Sequence, residues 1–245
     1  MSLSLPSLPS LPSLPSLPPS EYRNSVELLG HYGSDEVIAC SAWTSSSRTL
    51  TDAKRKRISN LIHALWKDGH EVPFEKGVVH FLVDTDIASH IHLLKHRMSS
   101  LNAESARYKE LKEDKQFVPD DWDEGWRRRL LEHAEEGNRL YHECIRELGP
   151  LLGRKRAKES ARYFKTYGSR IQSDVTFNMR SFAIFVKLRN SSHAQKEIRE
   201  LAAEMLRQVR AIEGRPFEHT LGAWDRQFID NAASVDFAPS ESKTV

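Results

Sequence analysis

The sequence has few cysteines, little net charge and no long hydrophobic run. Cys40 and Cys144 are the only cysteines among 245 residues, too few for a disulfide framework or a cysteine-rich metal site. No apolar run approaches the roughly 20 residues of a membrane-spanning helix. A net charge of +2 gives no reason to expect nucleic acid or a membrane as a partner. The default expectation is a protein of the reducing cytoplasm.

Several catalytic and metal-binding motifs are also missing. The sequence contains no CxxC, HExxH or GxSxG, no GxGxxG after a strand, and no GxxxxGKS/T. A Rossmann domain and a P-loop are therefore excluded as phosphate sites. His92 and His96 have the i, i+4 spacing of metal ligands, but no carboxylate or cysteine neighbour completes a zinc shell. We therefore predict no metal.

The first twenty residues differ from the rest of the chain. Residues 4–18 are five SLP triplets, followed by Pro19 and Ser20. Proline at every third position is incompatible with a helix or a sheet ladder, and the segment lacks the basic start and unbroken apolar stretch of a signal peptide. We predict a disordered tail over 1–20, a folded catalytic domain over 21–237 and a flexible tail over 238–245.

Helical and extended patterns alternate within the folded region, which predicts an α+β, helix-rich class with a small sheet. Residues 98–104 are predicted as a polar turn and 105–111 as an extended segment. Gly149-Pro150 is expected to interrupt a long helix that starts near Pro119 and has Trp122, Trp126, Leu130 and Ala134 on one face. The remaining helices are predicted over 51–68, 86–96, about 154–166, 182–189 and 198–212, and the strands over 77–84 and 171–178.

Residues 95–108, KHRMSSLNAESARY, combine cationic side chains with hydroxyls. An arginine fork matches the geometry of phosphate, so Ser105 and Arg107 on one side of an extended segment are a candidate phosphate site. Lys95, His96 and Arg97 form a second donor group. Taken singly, these residues also suit helix ends and turns. Together they suggest two anions, a nucleotide and a phosphorylated cofactor.

The same segment resembles the signature RHRxxSxNxxSxR of the flavin-dependent thymidylate synthases, the ThyX family. Lys95 replaces the first arginine, and six of the seven fixed positions match. Residues 69–75, GHEVPFE, are similar to the family's GHxTPFEH block, and residues 178–199 resemble its N-x-R-S…F…LR…HAQxEIR block. Ala39-Cys40-Ser41 is similar to the end of its AARVS segment. The resemblance covers about residues 35–215.

The resemblance implies a helix-rich single domain with a small antiparallel sheet that assembles into a homotetramer, with active sites between subunits. Each site would bind FAD and a pyrimidine nucleotide, with dUMP expected. The family takes a methylene group from methylenetetrahydrofolate and hydride from NADPH, and it methylates C5 without an enzymic cysteine nucleophile. The expected reaction is therefore conversion of dUMP to dTMP.

Individual roles also follow from the resemblance. Arg189 is the catalytic candidate, because an arginine at the uracil edge stabilises anionic charge as C5 becomes nucleophilic. Arg162 is expected to reach the nucleotide from a neighbouring subunit. The other predicted nucleotide residues are His92, Lys95, Glu104, Ser105, Ala106 and Arg107. The predicted flavin residues are Ser41, His70, Lys95, His96, Arg97, Asn102, Asn178, Arg180, Ile184 and His193.

Several positions depart from the family pattern, most of them at the expected ligand surface. Two alternatives therefore accompany dUMP methylation. One is a homologue of altered specificity that modifies C5 of dCMP or UMP by methyl or hydroxymethyl transfer, and the other is a non-catalytic relative that binds nucleotide or flavin. The departures are Lys95 for Arg, His92 for Gln, Ala103 for Glu with Glu104 one place late, Ile184 for Asn and Thr166 for Pro.

Overall fold

The structure is a computed structural model that describes residues 21–225. The predicted tails over 1–20 and 238–245 lie outside these residues. In chain order, the elements are β1 (Glu21–Tyr22), β2 (Ser25–Tyr32), α1 (Asp35–Ala42), α2 (Asp52–Arg55), α3 (Ile58–Lys67), β3 (Val78–Asp86), α4 (Ile87–Leu94), β4 (Ser99–Ala103), β5 (Gln116–Phe117), α5 (Glu124–Leu152), α6 (Arg154–Ala161), β6 (Arg170–Asn178), α7 (Met179–Arg189), α8 (Lys196–Arg210) and α9 (Glu218–Trp224).

The described residues form two compact units. The smaller unit consists of Glu21 and Ala106–Thr166, and the larger one of Tyr22–Ser105 and residues 167–225. One folded catalytic domain over 21–237 remains a prediction. Among the described residues, no helix is long and apolar enough to cross a membrane.

The larger unit is built on a four-stranded antiparallel sheet in the order β2-β3-β6-β4. Alternate residues of its two central strands are fully buried, among them Val79 and Phe81 on β3 and Val175 and Phe177 on β6. Phe81 lies opposite Val175 in the register. The small antiparallel sheet and the strands expected near 77–84 and 171–178 are therefore confirmed, and the period-2 pattern of burial explains why they were recognisable.

Helices cover the buried face of this sheet. Phe182 and Phe185 of α7 are fully buried, as are Ile198 and Met205 of α8. The Phe185 ring lies 5.1 Å from that of Phe177 on β6. The helical faces predicted over 182–189 and 198–212 are thus the faces that meet the core.

The helix predicted over residues 51–68 is divided into α2 and α3, and α3 ends shortly before a glycine. Gly69 has φ +74, a conformation that costs glycine little. The amide of His70 donates to the carbonyl of Leu65 at 2.8 Å, and the amide of Gly69 donates to that of Trp66 at 3.3 Å. These two bonds are a Schellman motif, so the main-chain amide of His70 closes the helix while its side chain is exposed.

Two local predictions around the signature were wrong. Residues 99–103, expected to be a turn, form β4 at the edge of the sheet, where Leu101 lies opposite Val175 and packs against the core. Pairing with β6 overrides the low strand propensity of serine and asparagine. Residues 106–108, expected to be extended, form a turn. The argument that alternation places Ser105 and Arg107 on one side therefore fails.

The smaller unit contains α5, α6 and β5. Helix α5 runs to Leu152, so the expected interruption at Gly149-Pro150 is wrong. Pro150 lies in the last turn, where it cannot donate to the carbonyl of residue 146, yet the helix continues past it to Leu152, with Gly153, which has φ +82, as its C-cap. The predicted face was also partly wrong. Trp122 precedes the helix, and Trp122 and Trp126 are exposed, whereas the buried positions are Ala134, Gly137, Asn138, Tyr141 and Ile145.

Candidate functional site

Several predicted site residues of the larger unit lie at the carboxyl ends of α4 and α7. Asp86 caps the start of α4 by accepting from the amide of Ser89 at 2.8 Å. The helix ends at Leu94, with Lys95 as its C-cap. The half-buried His96 and the exposed Arg97 follow at once. This end of α4 therefore presents the basic part of the signature.

Arg189, the last residue of α7, is bound to His96. Its Nε donates to His96 Nε2 at 3.0 Å, and the edge of the His96 ring lies against Phe185, with centroids 5.0 Å apart. Arginine nitrogens only donate, so Nε2 of His96 is the acceptor and its proton is on Nδ1. Among residues 21–225, no carboxylate forms an ion pair with Arg189. Its charge is thus held in place by a neutral partner.

The electrostatics of His96 agree with this assignment. Burial, the Arg189 guanidinium and His92 together lower the pKa of His96 from 6.5 to about 4. A second cation at 3.0 Å from the guanidinium would be repelled. His96 is therefore neutral at physiological pH and remains a hydrogen-bond acceptor for Arg189.

His92 lies one turn before His96 and has a different partner. Its Nε2 is 3.1 Å from Oε1 of Gln195, the residue that precedes α8. Nε2 of Gln195 donates in turn to Glu197 at 2.7 Å. The two histidines thus point to separate partners, and the described residues contain no group of three or more His, Cys, Asp and Glu side chains arranged to hold a metal ion.

Arg180 and Asn178, both predicted flavin residues, have strong partners within the chain. Nε of Arg180 donates to Glu71 and its terminal nitrogen to Glu75, each at 2.8 Å. This links α7 to the GHEVPFE segment. Asn178 caps α7, because its Oδ1 accepts from the amide of Ser181 at 2.8 Å. Both side chains therefore position α7, whatever else they bind.

A cleft of about 480 Å³ lies beside this link. Ser41 and Glu75 line it, together with Arg48 and Lys76. The cleft brings a predicted flavin residue, Ser41, within one concave surface that also carries two cations. Such a surface suits an anionic ligand.

The remaining predicted residues of the larger unit are spread along the chain. Asn102 is exposed on β4 opposite Asp174, and the amide of Glu104 donates to the carbonyl of Gln172 at 2.9 Å. Ile184 is 42% exposed on α7, and His193 is exposed in the turn before α8. Ser105 is partly buried at the end of the unit.

In the smaller unit, Arg107 and Arg162 are both exposed. Nε of Arg107 donates to Oε1 of Glu159 at 2.7 Å, a bond that lowers the pKa of Glu159. Arg162 follows α6 and forms no ion pair with any residue in the range 21–225. Ala106 is partly buried in the turn. Arg107 is thus neutralised by a carboxylate, whereas Arg162 presents an uncompensated charge.

Sequence reasoning missed four partners that shape the site. Glu71 and Glu75 lie in a segment that was recognised, but no pattern pairs them with a residue about 105 positions later. Gln195 and Glu159 likewise contact residues distant in sequence. Such pairs arise from the register of the fold, so only a structure or covariation among relatives could reveal them.

The side chains at the end of α4 fit a phosphate-bearing cofactor. Lys95 and Arg97 are exposed, and neither forms an ion pair within the described part of the chain. Two exposed cations two residues apart in sequence attract an anion. The exposed apolar surface of Ile184 and of Leu188, one turn later on α7, suits an aromatic ring. These residues are compatible with a flavin nucleotide.

Comparisons with known proteins show the family to which the chain belongs. A family model described as thymidylate synthase complementing protein, Thy1, matches residues 27–213. A flavin-dependent thymidylate synthase of Pseudothermotoga lettingae is 31% identical, covering 78% of this chain and 86% of that protein. Another, of Thermosipho melanesiensis, is 34% identical, covering 74% and 82%.

The fold has a solved counterpart. A crystal structure of the UMP/dUMP methylase PolB from Streptomyces cacaoi, bound with 5-Br dUMP, aligns with a TM-score of 0.70 at 24% identity, covering 85% of this chain and 97% of that one. The fold and the sequence matches define a class, the flavin-dependent enzymes of pyrimidine methylation. Within it, the chain belongs to the Thy1 family, the flavin-dependent thymidylate synthases.

Proposed function

We propose that this protein methylates dUMP at C5 to give dTMP. Methylenetetrahydrofolate supplies the carbon, and NADPH supplies the reducing equivalents. In the proposed reaction, dUMP, methylenetetrahydrofolate, NADPH and a proton are converted to dTMP, tetrahydrofolate and NADP⁺. Bound FAD would supply hydride transfer, and the residues proposed to hold it include Ser41, Lys95, Arg97 and Asn102.

The contact between Arg189 and His96 carries this proposal. C5 of a uracil ring becomes nucleophilic when negative charge builds on the ring, and a preorganised cation stabilises that charge most when no nearby anion cancels its own. Arg189 meets that condition among the described residues, because its partner is a neutral imidazole at 3.0 Å. Its terminal nitrogens have no partner in residues 21–225, so a ring edge can occupy them.

The proposed phosphate contacts come from the turn that follows β4. Ser105 and Arg107 would hold the nucleotide phosphate, with phosphate replacing Glu159 on the arginine. Arg162, exposed and unpaired among the described residues, would reach the nucleotide of a neighbouring subunit. The proposed active form is therefore a homotetramer.

Product analysis tests the proposal. Purified protein is incubated with FAD, NADPH and methylenetetrahydrofolate, and with dUMP, UMP or dCMP in parallel. UMP is included because PolB, which shares the fold, is titled a UMP/dUMP methylase. We expect dUMP to gain one CH₂ by mass and this gain to require every co-substrate. No product from any nucleotide, with flavin bound, would contradict the enzymatic proposal.

A further inference from the structure

Lys165 is a lysine whose side chain is almost fully buried. It lies in the smaller unit, immediately after the short turn Arg162–Phe164, and only 4% of its side chain is exposed. A buried ammonium is costly unless it is paired. Its Nζ donates to Oδ1 of Asp114 and to Oδ1 of Asn138, each at 2.6 Å, and lies 4.5 Å from the centre of the Tyr141 ring. The ammonium is therefore enclosed by partners that hold it in one position.

Asp114 is itself held firmly. Its Oδ2 accepts from Nε2 of His142 on α5 at 2.8 Å. Burial acts to raise the pKa of Asp114, but hydrogen bonds from His142 and Lys165 outweigh it and the pKa is lowered. Its backbone has φ +48, in the left-handed region that aspartate tolerates better than most residues. Because Asn138 lies on α5, the Lys165 ammonium joins the segment that carries Asp114 to that helix.

The turn that carries Arg162 has few anchors of its own. The three side chains of Arg162–Phe164 are all exposed. Ala161, which precedes them, is fully buried, but its methyl group fixes only one end of the turn. At the other end, the main-chain amide of Lys165 donates to the carbonyl of Arg162 at 3.1 Å. Lys165 therefore connects the turn to the interior through both its main chain and its side chain.

Uncharged contacts support the same end of the turn. Thr166, which stands where the family pattern has proline, donates from Oγ1 to Oε1 of the buried Gln116 at 2.7 Å. The turn also lies directly on α5, since a Cβ added at Gly137 would be 2.5 Å from the carbonyl oxygen of Phe164. Side-chain bonds thus fix the main chain that a proline would restrict in the family pattern.

We propose that Lys165 is a positioning residue for Arg162, because its buried ammonium, bound to Asp114 and Asn138, fixes the turn from which Arg162 reaches the nucleotide. This inference rests on the proposed function, in which Arg162 contacts the nucleotide of a neighbouring subunit. An arginine on a fixed turn loses less freedom on binding than one on a mobile turn, so the nucleotide binds more tightly.

A double-mutant cycle separates positioning from an independent effect. Lys165→Met keeps most of the side-chain length and removes the charge, and Arg162→Ala removes the group that is positioned. Calorimetry on the FAD-loaded full chain measures the affinity for dUMP in the wild type, both single variants and the double variant.

We expect Arg162→Ala to weaken dUMP binding by about tenfold or more, the loss of a charge-assisted contact. Lys165→Met should weaken it by about three- to tenfold, the cost of ordering the arginine on binding. The double variant should bind within about twofold of Arg162→Ala, since no arginine is left to position. Losses that multiply in the double variant, or wild-type affinity in Lys165→Met, would overturn the inference.

Two controls exclude a general structural effect. Lys112→Met makes the same substitution at an exposed lysine of the segment that carries Asp114, and it should bind dUMP as the wild type does. Flavin affinity should be unchanged in Lys165→Met, because the predicted flavin residues all lie in the larger unit. A loss of flavin binding in that variant would show a general structural role and overturn the inference.

Asn138→Ala provides a second cycle that decides the question if Lys165→Met does not fold. It removes one of the two oxygens that bind the ammonium and leaves the pair with Asp114, so we expect a loss of about threefold that disappears when Arg162→Ala is also present. Unchanged dUMP affinity in Arg162→Ala alone would overturn the inference and leave C5 methylation intact. A wild type that binds dUMP and flavin but forms no product would contradict the proposed reaction, and the cycles would still decide the role of Lys165.

Discussion

Arg189 in the larger unit and Arg107 in the smaller one are both proposed to bind the nucleotide, yet their surroundings differ. Nε of Arg189 meets a neutral imidazole at 3.0 Å, on a helix end packed through Phe185. Nε of Arg107 meets the carboxylate of Glu159 at 2.7 Å, and its side chain is 48% exposed. The charge of Arg107 is balanced by a carboxylate, whereas no carboxylate in the described part of the chain balances that of Arg189.

The different surroundings of the two arginines predict different roles for them. A fixed, uncompensated cation can stabilise charge that appears only during the reaction, because it requires no reorganisation. A cation already paired with a carboxylate exchanges one anion for another, so the net gain on binding phosphate is reduced by the pair that is lost. We therefore expect Arg189 to affect turnover and Arg107 to affect affinity.

The largest effect is expected from Arg189→Met, which keeps most of the volume and removes the charge. Single-turnover flavin oxidation should slow by about 10²-fold or more, the scale seen when a group aimed at developing charge is lost. Nucleotide affinity should change less. Stopped-flow absorbance, with folding and flavin content checked first, measures the rate.

Arg189→Lys is the matched variant, since it retains the charge without the fork. An intermediate rate would show that charge and geometry both contribute. Normal turnover in Arg189→Met would contradict the catalytic role and leave the residue as a brace at the end of α7.

A smaller effect, on binding, is expected from Arg107→Ala. Loss of a charge-assisted hydrogen bond to phosphate should weaken nucleotide binding by about tenfold or more, with little change in the single-turnover rate at saturation. Calorimetry measures the affinity. Glu159→Gln is the control: removing the competing carboxylate should tighten binding a few-fold. Unchanged affinity in Arg107→Ala would remove it from the phosphate site.

Some elements of the fold could be predicted from the sequence, and others could not. Strands β3 and β6 were predictable because apolar residues alternate along their sequences. Helices α7 and α8 were predictable because their apolar residues recur with the period of a helix. Strand β4 was not, since Ser99, Ser100 and Asn102 carry no strand preference and only pairing with β6 orders them. Pro150 was misjudged because the helix continues through it to Leu152, and nothing in the local sequence indicates that it would.

The sequence predicted which residues belong to the site but not which of them contact each other. The signature placed His96, Arg97 and Arg189 in one family motif, but nothing local to position 96 specifies a hydrogen bond with position 189. Glu159 lies on α6 and Gln195 immediately precedes α8, and neither contact was expected. Partners of this kind depend on the tertiary register, which sequence patterns describe poorly.

Titration of His96 tests whether the Arg189 guanidinium lowers the pKa of this imidazole. Its pKa of about 4 should rise in Arg189→Met, because the cation is gone, yet stay below 6.5, because burial remains. Imidazole NMR measures the midpoint. His90 is the internal control: burial alone lowers its pKa, so its midpoint should not move.

The lowered pKa of His96 also determines whether the free energy of unfolding rises or falls with pH. Between pH 6.5 and about 4 the unfolded chain binds a proton at His96 and the folded chain does not, so the free energy of unfolding falls as pH falls through that window. The fall should be shallower in Arg189→Met. An equal slope would mean that the arginine does not hold His96 neutral.

The smallest effect is expected from deleting residues 1–20, which would leave both arginines as they are. Proline at every third position prevents regular hydrogen bonding, and the SLP triplets offer no periodic apolar face to pack on either unit. Flavin binding and turnover should therefore stay within about twofold of the full chain, under about 0.5 kcal/mol. Side-by-side single-turnover rates and flavin titrations of the two proteins measure this. A larger loss of either quantity would contradict this expectation.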